Sequence, residues 1–283
     1  MKIVAVLNHK GGVGKTTFTG CTAQSLALSG FRVLAVDNDS QHNLSTMLGA
    51  GVCSPGIRDV YLAQPDDAPR CLLESVRKTC LTNLHIVAAC RELCDADAGD
   101  PMRLRGAFDA CGLDRFYDFI LIDNAPGLDR LQGAAALACS EIFVPTELKQ
   151  FAVNGIAEME KMIALRYPQA GRITRIIPNF YRATRRQNAY IAALNSLFPG
   201  RVTATAIPVD AVFDELVVEG KILFLHRLSS RAAAYYIKLI HELFTLSEED
   251  VWQKVKLQQR ERLASEARGR LQEINRQRRL AAA

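Results

Sequence analysis

A chain of 283 residues with 49% hydrophobic and 23% charged side chains can close a sizeable core, which excludes wholesale disorder. No apolar run approaches the roughly 18 residues needed to cross a bilayer, and the opening Met-Lys-Ile-Val-Ala-Val-Leu-Asn reads as a first strand, not a signal peptide, so a cytoplasmic protein is expected. The net charge of +5 is uneven: residues 1–160 carry 14 Lys/Arg against 19 Asp/Glu, residues 161–231 carry 11 against 4, and residues 246–283 carry 9 against 6, as expected if the second half meets a polyanion.

In chain order, the apolar pattern predicts a strand at Lys2–Leu7, a helix at Thr16–Ser29 stopped by Gly30, and strands at Arg32–Val36, Leu84–Val87, Phe119–Ile122 and Glu141–Val144. A helix at Val153–Arg166 follows, then strands at Arg172–Ile177 and Thr203–Ile207. Near-continuous apolar strands joined by helices imply an α/β fold, a mostly parallel twisted sheet with helices on both faces. Residues 1–245 read as one such domain. From Ser247 the composition turns to Gln, Arg, Glu, Leu and Ala, which predicts a basic helical extension over 246–283 with a narrow stripe of Leu263, Ala267, Leu271 and Ile274, interrupted at Gly269.

The eight cysteines (21, 53, 71, 80, 90, 94, 111, 139) contain no Cys-x-x-Cys pair, which argues against zinc, redox or iron–sulfur chemistry. Cys90 and Cys94 have the spacing to share a helix face, with His85 upstream on a strand; ordinary reduced thiols are the expectation.

The sharpest signal follows the first strand: His9-Lys10-Gly11-Gly12-Val13-Gly14-Lys15-Thr16-Thr17. Its glycines permit a turn whose N–H groups all point at phosphate oxygens, Lys15 is placed to neutralise the β- and γ-phosphates, and the Thr16 hydroxyl is placed for Mg²⁺. His9 stands where the general phosphate-loop pattern has its first glycine, and a second lysine, Lys10, lies five residues before Lys15. That spacing resembles the deviant Walker A loop of the ParA/MinD family of P-loop ATPases, in which the extra lysine reaches across a dimer interface to the partner's nucleotide.

Further segments carry the same resemblance. Asp37-Asn38-Asp39-Ser40-Gln41-His42-Asn43 is similar to the family's switch I, with Ser40 and His42 replacing its Pro and Gly. By that resemblance Asp39 orients the attacking water and Asp37 supports the metal's water shell; phosphoryl transfer needs such positioning more than a strong base. Phe119–Ile122 ending in Asp123 resembles Walker B, with Asp123 on Mg²⁺ through water and switch II after it. Asn179, after Ile176-Ile177-Pro178, and Ile207-Pro208 resemble the base pocket, and the absence of Asn-Lys-x-Asp favours ATP over GTP. Asn179, Asp37 and Asp39 are also ordinary turn or capping residues.

The resemblance implies an ATP- and Mg²⁺-dependent switch that forms an ATP-sandwiched homodimer, binds double-stranded DNA without sequence preference and positions DNA or protein cargo with a ParB-like adaptor, on the bacterial nucleoid. Arg182, Arg185 and Arg186 share one loop; Arg201, Arg227 and Arg231 are the candidate DNA contacts, of which Arg231 matches a family arginine and Arg201 is only near one. A MinD-like membrane-surface regulator and a metabolic enzyme of the same fold are the alternatives. The tail lacks the wide Leu, Phe or Trp face of a membrane helix, and Asn124–Arg130, shortly after Asp123, contains no cluster cysteine.

Overall fold

The computed structural model describes residues 1–51, 54–150, 152–219 and 223–281. Its strands are β1 (Lys2–Val6), β2 (Val33–Asn38), β3 (Val76–Lys78), β4 (Leu84–Val87), β5 (Phe119–Asn124), β6 (Glu141–Glu147) and β7 (Arg172–Asn179). They form one sheet in the order β3-β4-β2-β5-β1-β6-β7. Every neighbouring pair is parallel except β3 on β4.

The helices are α1 (Lys15–Leu28), α2 (Asn43–Met47), α3 (Ile57–Leu62), α4 (Ala68–Ser75), α5 (Arg103–Cys111) and α6 (Arg130–Ala138), followed by α7 (Ala152–Arg166), α8 (Arg185–Leu197), α9 (Val212–Glu219), α10 (Leu223–His226), α11 (Arg231–Phe244) and α12 (Glu248–Ala281). Strand side chains alternate between two cores. Ala5 and Leu7 join Ile57, Phe108, Ala135 and Ile156 on one face. Val4 and Val6 join Phe18, Leu26, Tyr236 and Ile240 on the other. The sheet is thus covered on both sides, which is why its strands are apolar throughout and not alternating. Gly30, at φ 93°, ends α1 as expected, its N–H bonded to the Ala27 carbonyl.

Two expectations are corrected, and one strand was not anticipated. Thr203–Ile207 is not a strand: its ends donate to β7, from the Thr203 and Ile207 N–H groups to the Ile176 and Pro178 carbonyls at 2.9 Å each, but between them Glu242 on α11 takes the N–H groups of Ala204 and Thr205 at 2.6 and 2.9 Å. The short polar strand β3 has no apolar pattern to announce it. Cys90 and Cys94 lie outside any helix, and among the described residues no group of three or more His, Cys, Asp and Glu is disposed to hold a metal by itself.

The C-terminal helix is divided by its packing. Val251 and Val255 are buried in the second core, and Lys254 Nζ caps the Ser29 carbonyl at the far end of α1 at 2.9 Å. Leu263, by contrast, is 56% exposed. The side chains of Ala267 and of residues 271–281, on which the rest of the predicted stripe depends, lie outside the described set.

Candidate nucleotide site

The sheet order puts the carboxyl ends of β1, β2 and β5 side by side, which is where a parallel α/β sheet presents its ligand crevice. Asn8, buried just after β1, fixes the loop entry: its Nδ2 donates to the Pro145 carbonyl at 2.9 Å and its Oδ1 accepts from the Lys10 N–H at 3.0 Å. Gly14 caps α1 at φ 86°, a left-handed conformation costly to any residue with a Cβ. A Cβ there would stand 2.3 Å from Asn179 Nδ2, which itself holds the Val13 carbonyl at 2.8 Å. The phosphate loop is thus clamped by β6 on one side and the end of β7 on the other.

Lys15 opens α1 and is only 6% exposed, yet among the described residues its ammonium donates only to neutral carbonyls, those of Asn8 at 3.3 Å and Lys10 at 3.1 Å. Burial lowers its pKa, while Asp123 and Asp39 pull the other way. A cation held among carbonyls inside a ring of N–H groups is prepared for an anion. Thr16 and Thr17 follow it into the helix, partly exposed, while Gly11 and Gly12 lie open to solvent. The Lys10 ammonium has no ion-pair or hydrogen-bond partner among the described residues.

Asp37 and Asp123 stand opposite each other across β2 and β5 and are fully buried. Asp123 Oδ1 accepts from Thr19 Oγ1 at 3.1 Å, but its Oδ2 is buried without a hydrogen-bond partner. Burial first, and then the nearby Asp37, push the Asp123 pKa up to about 7, against the opposing pull of the Thr16 and Thr19 hydroxyls. Burial raises Asp37 to about 6, although Ser45 donates both its N–H and its hydroxyl to Oδ2, at 2.8 and 2.7 Å. Asp39 Oδ1 accepts from the Gln41 N–H at 2.9 Å. Asp123 and Asp39 beside one buried lysine, with Asp37 opposite Asp123, leave a surplus of carboxylates and an orphaned oxygen. That donor set fits a hard divalent cation completed by water and phosphate oxygens, not by an all-protein cage.

The polar groups that tie the two switch segments together have no mark in the sequence. Tyr61 donates to Asn38 Oδ1 at 3.0 Å, and Asn38 Nδ2 donates to Asn124 Oδ1 at 2.8 Å. Asn124 Nδ2 donates in turn to the carbonyls of Val6 and Ile122. This buried chain crosslinks β2, β5 and β1 directly behind the carboxylates. Pro126, two residues further on, approaches the phosphate loop: a Cβ on Gly11 would meet its Cγ at 3.5 Å.

On the base side, Asn179 Oδ1 accepts from the Phe180 N–H, and Pro208 is buried and bridged to Tyr181. A cavity of about 420 Å³ opens here beside Gly12, lined by Phe180, Arg182, Gln187 and Val209. The candidate DNA arginines are not brought into one patch. Arg201 pairs with Glu160 and stacks over Phe198. Glu242 seats residues 204 and 205 near the end of α11, whereas Arg231 begins that helix, about 16 Å away along its axis at 1.5 Å per residue. Arg227 pairs with Glu215 at 2.9 Å, and Arg231 is exposed over the Tyr235 ring.

A family model described as an AAA domain matches residues 1–170. The chromosome-partitioning ATPase Soj of Thermus thermophilus is 30% identical over 253 residues, covering 87% of this chain and 96% of its own. The sporulation initiation inhibitor protein Soj of Bacillus subtilis is 29% identical over 255 residues, covering 86% and 98%. Among solved structures, the septum site-determining protein MinD of Pyrococcus horikoshii, complexed with Mg-ADP, superimposes with a TM-score of 0.69 at 27% identity over 86% of this chain and 96% of that one. Phosphate loop, paired lysines and converging carboxylates thus stand on a scaffold shared along nearly the whole length of these relatives: the chain belongs to the ParA/MinD family of P-loop ATPases.

Proposed function

We propose that the chain is an ATP-driven positioning switch that pairs with a second copy on ATP, holds duplex DNA nonspecifically while paired, and lets go when an adaptor of ParB type stimulates hydrolysis. The observation that carries this reading is the pair of lysines in one loop: Lys15 buried among carbonyls, and beside it Lys10, whose ammonium has no partner among the described residues. Two cations of one loop are more than one chain's own contacts employ, which is what pairing across two nucleotides calls for.

In this reading the N–H groups of Gly11, Gly12, Val13, Gly14, Lys15, Thr16 and Thr17 cradle the triphosphate, with the positive end of α1 behind them. Thr16 and Asp123 hold Mg²⁺, and Asp37 supports its water shell. When bound, the metal supplies charge neutralisation at the phosphates. Asp39, just past the end of β2, orients the attacking water, a role that depends on position. Asn179 has a second amide hydrogen to offer the adenine edge, with Pro208 and its neighbours against the ring. Arg227 and Arg231 meet phosphates at one corner, and Arg201 is a separate contact. The unit is residues 1–245 with 246–283 as an extension, working in the cytoplasm on the nucleoid.

Anisotropy of a labelled duplex titrated with the protein in ATP, ADP or no nucleotide tests this. The expected result is binding with ATP alone, indifferent to sequence and falling steeply with salt. Equal binding in all three states would overturn the switch reading.

A further inference from the structure

The ATPase reading leaves most of α12 unused. Among its described side chains, those that pack lie in the first turns: after Val255 the helix passes α10, where Gln259 donates to the Leu225 carbonyl and Arg262 Nη2 lies 3.0 Å from His226 Nε2. Beyond Arg262 no described side chain through Arg270 is buried. The helix therefore leaves the domain beside His226, the residue before Arg227, and in the immediate chain neighbourhood of Arg231. From 263 to 281 it runs on for about 28 Å at 1.5 Å per residue.

That stretch carries Arg268, Arg270, Arg276, Arg278 and Arg279 against Glu266 and Glu273, with no lysine and no aromatic residue. At 3.6 residues per turn, positions 268, 276 and 279 share a sector of about 80°, and both glutamates fall outside it. Gly269 and the crowding of like charges weaken the helix in isolation, and a polyanion along the arginine sector removes that repulsion.

We propose that residues 263–281 are a DNA-contacting arm that extends the Arg227–Arg231 corner along the sugar-phosphate backbone for about eight base pairs, at 3.4 Å per pair. The proposal rests on the duplex-binding reading above. Guanidinium groups suit phosphate, whereas a helix lying in a membrane surface wants a broad face with Trp, Phe or Leu. Trp252, the chain's single tryptophan, sits at the packed root and not on the arm.

The test is a salt titration of duplex binding in ATP by the full-length chain, by a variant combining Arg268→Gln, Arg276→Gln and Arg279→Gln, and by one combining Arg268→Lys, Arg276→Lys and Arg279→Lys. Each phosphate contact adds about 0.9 to the slope of log K against log salt. The Gln variant is expected to have a slope shallower by about 2 to 3 for each arm engaged, and the Lys variant the unaltered slope, with ATP affinity unchanged in both. An unchanged slope in the Gln variant, with the full-length chain binding normally, overturns the arm and leaves the switch standing. A full-length chain that ignores duplex in ATP overturns both. Arginine-dependent sedimentation with phosphatidylglycerol vesicles, alongside an unchanged DNA slope, assigns the arm to membrane and overturns the proposal.

Discussion

Gly14 shows how a single missing Cβ organises the site. Its left-handed φ and its closeness to Asn179 are separate demands, one on the backbone and one on the space beside it. Gly14→Ala is expected to destabilise the nucleotide-free protein by about 2 kcal/mol or more, read from the midpoint of chemical denaturation. Adding Asn179→Ala should recover only the steric part, so the two changes will not be additive; a neutral Gly14→Ala would show that the loop is not held as described. The loop residues were legible in the sequence because glycines and lysines at fixed spacing declare a phosphate site without help from the rest of the chain. Ser45, Tyr61 and Asn124 were not, because their hydrogen bonds join positions 8, 23 and 86 residues apart, and nothing periodic marks such pairs.

Among the elements, the central strands were legible because burial on both faces writes an unbroken apolar run. The edges were not. β3 is three residues long with two of them basic, and its pairing to β4 is the only signal it has. Thr203–Ile207 has strand composition but loses its ladder to Glu242, a competitor nearly forty residues away. The same long-range packing splits α12, whose overall composition reads as a solvated helix. Val255→Ala is expected to cost about 1 to 3 kcal/mol in urea unfolding, since a fully buried valine loses its contacts within the second core. Leu263→Ala, on an exposed position, should stay within about 0.5 kcal/mol. Equal effects at the two sites would mean that α12 does not change character between them.

At the scale of the whole molecule, one parallel sheet gathers the loop after β1 and the acids of β2 and β5 at a single edge, while the basic corner of α10 and α11 lies on helices covering one face. The two regions are joined through packing: α1 starts at the phosphate loop and ends under Lys254 of α12, and Leu223 of α10 donates its N–H to Gln24 of α1 at 3.3 Å. The proposed nucleotide site at one end of α1 and the proposed polyanion corner are therefore both packed against the same helix. What couples them, in this account, is pairing of two copies through Lys10. Light scattering during size exclusion in ATP measures that directly for the wild-type chain and for Lys10→Ala. The account predicts a doubling from 31.2 kDa for the wild type, and a monomer for Lys10→Ala that still binds ATP; a Lys10→Ala protein that doubles as readily as the wild type would contradict it.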